Sequence, residues 1–456
     1  MENTIAAIAT AYGEGGIGIV KISGEKAWDI LGQIFVGIND KPIRNRYLAY
    51  GHIIDHDTGK IIDESMVSYM KGPKTYTTED VVEINCHGSI ISLRKTLELV
   101  LKKGAILAEP GEFTKRAFLN GRLDLVQAEA VIDLIKAKSD KSFEISINQL
   151  EGFLSKKVLE IRKMLLELLI KLAVNIDYPD EDIEELTYKE VKESLLLISD
   201  MIETLVSTAE TGRLIREGIA VSIIGKPNVG KSSLMNALLR ESRAIVTEIP
   251  GTTRDTIDEF LSIKGIAIKL TDTAGIRDTE DTIEKIGIEK SKESFNKADL
   301  IIFVLDGSSE LSKEDREIIE IIGKRKSLVL INKGDLEQKI DTKQIKKLIP
   351  EAKVILTIAT EGAGINAVEK EIEELVYGGK VRQGESMLVS NVRQKNLLEK
   401  AGLSIKEAIE QTEAFMAMDF LEIDVKAAWE QLGEIIGETF SENIIDEVFA
   451  RFCLGK

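Results

Sequence analysis

The run Gly225-Lys226-Pro227-Asn228-Val229-Gly230-Lys231-Ser232-Ser233 gathers glycines, a lysine and two hydroxyls in one short stretch. It follows the apolar segment 219–224 and opens into the helix-like Leu234-Met235-Asn236-Ala237-Leu238. Glycines there let backbone N–H groups turn inward on a phosphate, and the start of a helix adds its dipole. Lys231 supplies a point charge, Ser232 a hydroxyl for Mg²⁺, and Ser233 a contact to an α-phosphate. Residues Asn228 to Ser233 therefore read as a triphosphate cradle.

Two further motifs close apolar runs downstream. Asp272-Thr273-Ala274-Gly275 follows 266–270, where an acidic group meets Mg²⁺ through water and a glycine amide meets a terminal phosphate. Asn332-Lys333-Gly334-Asp335 follows 327–331. A carboxylate at Asp335 accepts from guanine N1–H and the 2-amino group; adenine offers neither donor, so the pattern selects GTP over ATP. Three motifs at strand ends, in this order, resemble the translation-factor-like GTPases.

The elements that must position these motifs follow from patterning. Apolar strands are expected at 219–224, 266–270, 300–305, 327–331 and 354–358, alternating with helices, which predicts a doubly wound, mostly parallel sheet. Ahead of it, residues 4–10, 19–22, 47–55, 64–71 and 81–87 read as strands, with the glycines at 13–18 read as a tight turn and not a second nucleotide loop. Helical periodicity is expected over 90–103, 113–137, 142–174 and 188–214, and again over 391–413, 421–436 and 441–452. The acidic stretch Tyr178 to Glu185 reads as a solvated connector. The fold class is thus multidomain, α/β and α+β, with expected domains at 1–119, 120–215, 216–378 and 379–456. The third is inserted in a helical domain formed by the second and fourth.

Composition narrows the function. The chain has 456 residues, 43% hydrophobic and 30% charged, with no apolar run long enough to cross a bilayer, so a cytoplasmic, non-membrane protein is expected. Two cysteines exclude a disulfide framework, and three histidines leave little for zinc. A formal net charge of −17 argues against a broad unaided grip on phosphate backbones.

Taken together, several runs are similar to the MnmE (TrmE) family of tRNA-modification GTPases. They are the nucleotide motifs with Asn228 in the first loop, Ile249-Pro250-Gly251-Thr252-Thr253-Arg254-Asp255, the early Gly15-Gly16-Ile17-Gly18-Ile19, Pro110 through Gly121, and the terminal Cys453-Leu454-Gly455-Lys456. The resemblance covers the whole chain. It implies a tetrahydrofolate-binding, dimerising N-terminal domain, a helical domain, and a GTPase inserted within it. It further implies an FAD-dependent MnmG-type partner in a heterotetramer. Together the two modify C5 of the wobble uridine of certain tRNAs to a (carboxymethyl)aminomethyl form, with a 5,10-methylene- or 5-formyl-tetrahydrofolate as the one-carbon cofactor.

Residue roles carried by the resemblance are specific. A Ras-like GTPase orients its water with a Gln after the DxxG motif, but Ile276 stands here; of the downstream acids Asp278, Glu280, Asp281 and Glu284, the resemblance implies that Glu284 takes the catalytic role. K⁺ replaces an arginine finger, held by Asn228, Thr247, Ile249 and Thr252. Thr253 joins Ser232 on Mg²⁺, and Glu248, Pro250 and Gly251 complete the first switch. Ile358, Ala359 and Thr360 fall where relatives contact guanine, with Ile358 replacing a usual Ser. Folate is assigned to Lys21, Glu83, Arg122 and Lys456, with Lys21 and Arg122 exchanged in type relative to the usual Arg and Lys. Cys453 is open between an inert buried thiol and a group beside the one-carbon unit. The tail itself reads as a helix cap and a fraying terminus. The alternative function, a ribosome-assembly or stress GTPase that binds RNA without modifying it, lacks support from any basic RNA-binding module after residue 380.

Overall fold

The computed structural model describes residues 3–11, 13–38, 43–177, 187–241, 243–245, 259–271, 298–377, 389–439, 442–452 and 455. In chain order the first elements are β1 (Ile5–Ile8), β2 (Gly15–Ser23), α1 (Ala27–Ile34), β3 (Phe35–Gly37), β4 (Leu48–Asp55), β5 (Lys60–Met70) and β6 (Val81–Gly88). Next come α2 (Ile90–Lys102), β7 (Ile106–Leu107), α3 (Glu112–Leu119), α4 (Leu125–Lys136), α5 (Asp140–Leu150), α6 (Phe153–Asp177) and α7 (Tyr188–Glu217). The nucleotide region adds β8 (Ile219–Ile224), α8 (Lys231–Glu241), β9 (Arg243–Ile245), β10 (Glu259–Ile263), β11 (Ile266–Thr271) and β12 (Leu300–Asp306). It continues with α9 (Lys313–Ile322), β13 (Ser327–Asn332), α10 (Thr342–Leu348), β14 (Lys353–Leu356) and α11 (Ile365–Tyr377). The last helices are α12 (Val392–Glu413), α13 (Met418–Ile436) and α14 (Glu442–Phe449).

The chain divides into two compact units, one of Met1–Ile132, Gln149–Ser199 and Lys400–Lys456, the other of Asp133–Asn148 and Asp200–Glu399. In the first, a seven-stranded sheet runs β3-β4-β5-β6-β2-β1-β7. Only the β1–β7 pairing is parallel. One sheet face is closed by α1 and α2 through Leu31, Ile34, Leu93 and Val100 against Val20, Ile22, Val82 and Ile84. At the β1 end of the other face, Ile5 and Ala7 pack on Phe113 of α3 and on Tyr76.

The second unit holds a sheet in the order β14-β13-β12-β8-β11-β10-β9. Five strands are parallel, and β10 and β9 add an antiparallel edge. Residues of β12 alternate between two cores: Leu300, Ile302 and Val304 face one, Ile301, Phe303 and Leu305 the other. A strand covered on both faces must be apolar at every position, which is why this run shows no polar alternation. Helices start where side chains satisfy free N–H groups: α9 has a full capping box between Ser312 and Asp315, and Asp341 caps α10 by accepting from Lys343 N–H.

Several expected boundaries shift. The glycine run at 13–18 is not simply a turn, because β2 begins at Gly15 and carries a register irregularity before Gly18. The helical stretches 113–137 and 142–174 are each split, at 120–124 and 151–152. The last nucleotide-domain strand ends at Leu356, two residues short of Ile358. Residues 133–148, which include most of α5, pack with the nucleotide region, and Ile145 sits in its core beside Leu261 and Ile263.

Among the described non-glycine residues with positive φ, one is β-branched. Thr78 has φ 65°, a left-handed conformation that a β-branched side chain adopts at a cost of about 1–2 kcal/mol. Thr78→Gly relieves this and returns roughly 0.5–1 kcal/mol to unfolded-chain entropy. The first thermal transition of the variant should therefore match or exceed the wild type by up to about 2 °C; a fall of several degrees would show the Thr side chain to be needed.

Candidate functional site

The phosphate loop connects β8 to α8, and its shape is set from outside by Asn332 at the end of β13. The Asn332 side chain is buried; its Nδ2 donates to the Val229 carbonyl at 2.8 Å. Its Oδ1 accepts from Ala359 N–H at 3.0 Å and from Thr357 Oγ1 at 3.3 Å. One amide thus joins the phosphate loop to the segment after β14. Gly230 has φ +102°, and a Cβ there would stand 2.1 Å from Asn332 Nδ2. No other residue fits this crossing.

Lys231 opens α8 and turns back over the loop, where its Nζ donates to the carbonyls of Gly225 at 2.8 Å and Lys226 at 2.6 Å. Burial pushes this ammonium below the usual lysine range. An anion in the cradle would replace two neutral acceptors with charged ones and reverse that pressure. Asn228 has φ 63°, the left-handed turn that lets successive loop N–H groups converge.

On the base side, Lys333 (φ 62°) donates to Asp306 Oδ2 at 2.6 Å, and Gly334 N–H donates to Thr357 O at 3.0 Å. Burial opposes ionisation of Asp306, but hydrogen bonds from Lys333 and Ser308 hold its carboxyl below the ordinary value. Asp335 is exposed. A cavity of about 330 Å³ is lined by Ser233, Asn236, Arg240, Ala359, Thr360 and Glu361, among others, so the α-phosphate candidate and the guanine candidates share one space. The Ile358 N–H donates to Ala363 O at 3.0 Å, as the Ala359 N–H does to Asn332 Oδ1, and Ala359 and Thr360 line the cavity. Thr247, Glu248, Ile249, Pro250, Gly251, Thr252, Thr253, Asp272, Thr273, Ala274, Gly275 and Glu284 lie outside the described residues.

A second cluster lies on the N-terminal sheet. Lys21 on β2 pairs in register with Glu83 on β6 and with Ala7 on β1. The Lys21 ammonium sits 4.7 Å from the Tyr76 ring centroid and 5.2 Å from that of Phe113. The Arg122 guanidinium lies 4.7 Å from the Tyr76 ring and donates to Tyr76 O at 3.3 Å. Tyr76 Oη meets Thr114 Oγ1 at 2.9 Å, and burial pushes its phenol up. An aromatic face between two cations, with a carboxylate beside it, suits a flat heterocycle that carries donors and an anionic tail.

The tail does not behave as a fraying terminus. Phe452 is buried against Phe449 with ring centroids 5.2 Å apart. Gly455 (φ +89°) is buried with its position for a Cβ 2.2 Å from Ile8 O and 3.0 Å from Ala9 Cα. Gly455 is therefore seated against the end of β1 at Ile8, the neighbour of Ala7 and so of the strand pair of Lys21. Cys453 and Lys456, on either side of Gly455, lie outside the described residues.

Tyr76 and Asp306 were not legible as site residues. Each lies outside a motif, and only its spatial neighbours give it a role.

A parallel sheet with the phosphate loop after its central β8 and an NKxD turn after β13 defines a P-loop domain of the GTPase class. The family profile described as "MnmE helical domain" matches residues 125–453, and that described as "GTP-binding protein TrmE N-terminus" matches 4–122. The chain belongs to the MnmE family of tRNA modification GTPases. It is 53% identical over 459 residues to the tRNA modification GTPase MnmE of Alkaliphilus metalliredigens, covering 100% of both chains. The corresponding protein of Geobacillus kaustophilus is 49% identical over 458 residues, covering 100% of this chain and 99% of its own. Among solved structures, a single-site variant of Era from Aquifex aeolicus bound to GDP.AlF4- is 28% identical over 41% of this chain and 67% of its own, with a TM-score of 0.26. Among the described residues no helix is long and apolar enough to cross a membrane.

Proposed function

We propose that this protein hydrolyses GTP in a K⁺-dependent manner and, with an FAD-dependent MnmG-type partner, modifies C5 of the wobble uridine of certain tRNAs. The observation that carries the reading is the Asn332 bridge, which binds phosphate loop and base-side loop into one nucleotide-shaped site within a chain of this family. Loop amides from Asn228 to Ser233 bind the phosphates, Lys231 neutralises them, and Asp335 reads guanine, with Ala359 and Thr360 lining the space for it. Ser232, at the first turn of α8 where a hydroxyl ligand fits, and Thr253 would hold Mg²⁺, which would supply charge neutralisation for the phosphates. Asn228, with Thr247, Ile249 and Thr252, would hold K⁺, which would supply positive charge toward the β–γ bridging oxygen. The left-handed turn at Asn228 suits a side-chain carbonyl presented at the loop's rim.

Glu284 orients the attacking water. Glu284→Ala is expected to leave GTP affinity within about threefold and to lower kcat about 10²-fold. Turnover near the wild-type rate would remove Glu284 from the mechanism. Hydrolysis in Na⁺ should fall well below that in K⁺ at equal ionic strength; equal rates would remove the cation site.

A tetrahydrofolate derivative would be held by Glu83 on the pterin's donor edge and by Lys21, Arg122 and Lys456 on its carbonyl and carboxylates, with Tyr76 beneath. When bound, it supplies the one-carbon unit. Dimerisation through the N-terminal domain belongs to the same reading. Mass spectrometry of wobble uridines from a deletion strain tests it: loss of the C5 side chain is expected. Normal tRNA together with defective ribosomes would instead favour an RNA-binding assembly GTPase.

A further inference from the structure

We propose that a buried ion pair between Lys226 and Asp315 is a positioning device for the phosphate loop, and that it sets the affinity for GTP. The proposal rests on the GTP reading of that loop. Lys226 Nζ lies 2.8 Å from Asp315 Oδ2, with side-chain exposures of 18% and 2%. Asp315 belongs to the first turn of α9, and the same Oδ2 also accepts from Ser312 N–H at 2.9 Å and Ser312 Oγ at 2.8 Å. Its other oxygen, Oδ1, is buried and meets no donor among the described residues.

Three donors on one oxygen and none on the other concentrate the carboxylate's interactions on the side that faces the loop. The arrangement holds the Lys226 ammonium on Asp315 of α9, so the cation the loop keeps for the ligand is Lys231. The same contact tethers the Lys226 side chain to the start of α9. The Lys226 carbonyl is one of the two acceptors of Lys231 Nζ, at 2.6 Å. Anchoring the Lys226 side chain limits rotation of that peptide and keeps Lys231 poised over the cradle before nucleotide arrives. Removing either partner leaves the other buried without its counter-charge, which frees the loop or distorts it. Lys226 and Asp315 are thus positioning residues that act through Lys231.

The test uses the full chain and mant-GDP and GTP as probes. Lys226→Met and Asp315→Asn are each expected to weaken mant-GDP binding about tenfold. The double variant should be no worse than either single one, because both remove the same contact. Lys226→Arg should restore binding to within about threefold, and kcat at saturating GTP should change less than affinity in all four. Asp315→Asn retains an acceptor for Ser312, so the helix cap survives. Wild-type affinity in Lys226→Met and Asp315→Asn, with only the melting temperature lowered, would overturn the proposal, as would fully additive losses. Failure of the wild-type chain to bind mant-GDP would instead overturn the GTP reading, and the positioning role with it.

Discussion

Asn332→Ala is expected to weaken GTP binding about 10³-fold, while the N-terminal unit keeps its thermal transition. The substitution removes both ends of the bridge between the loops. Val229 O loses its donor and Ala359 N–H its acceptor, in a site where Asn332 is only 4% exposed. A buried polar group left without a partner costs about 1–3 kcal/mol, and two such groups give roughly 2–6 kcal/mol. About 4 kcal/mol corresponds to the stated loss at 1.4 kcal/mol per factor of ten. The cost falls on nucleotide binding because the bonds fix the geometry of the two loops that would enclose the ligand. Titration with a fluorescent guanine nucleotide reads the effect. A loss below tenfold would mean that the loops hold their shape without the bridge, and the site assignment built on it would need revision.

Gly455→Val is expected to abolish wobble-uridine modification and to leave GTP hydrolysis unchanged. The Cβ of any residue at 455 would lie 2.2 Å from Ile8 O, at a backbone φ of +89° that a branched residue does not adopt. The tail must then leave β1. On the proposed reading, Lys456 and Cys453 leave with it, and the cation set around Tyr76 loses a member. The nucleotide motifs lie far along the sequence in a separate compact unit, so kcat and KM for GTP report whether the remainder of the chain is intact. Normal modification in this variant would show that tail docking has no part in the chemistry.

The two sites differ in how far each was legible beforehand. The nucleotide site is local: its loop, helix start and NKxD turn are contiguous runs, and the residue types follow from what a phosphate and a guanine require. The parallel sheet was legible for the same reason, since strands such as β12 are covered on both faces and appear as uninterrupted apolar runs. The N-terminal cluster is assembled from residues 21, 76, 83, 113 and 122, which no spacing rule relates. Only strand pairing and the docking of α3 bring them together.

By itself the sequence determined the phosphate loop, the NKxD turn and the parallel strands around them, because each depends on neighbours along the chain. Tertiary structure alone decided that Asn332 ties two loops, that Asp315 holds Lys226, that residues 133–148 pack with the nucleotide region, and that Gly455 is seated against β1. Those outcomes depend on distances across the fold. A buried amide, a buried carboxylate and a glycine with no room for a Cβ have ordinary identities in one dimension and acquire their roles only from what packs against them.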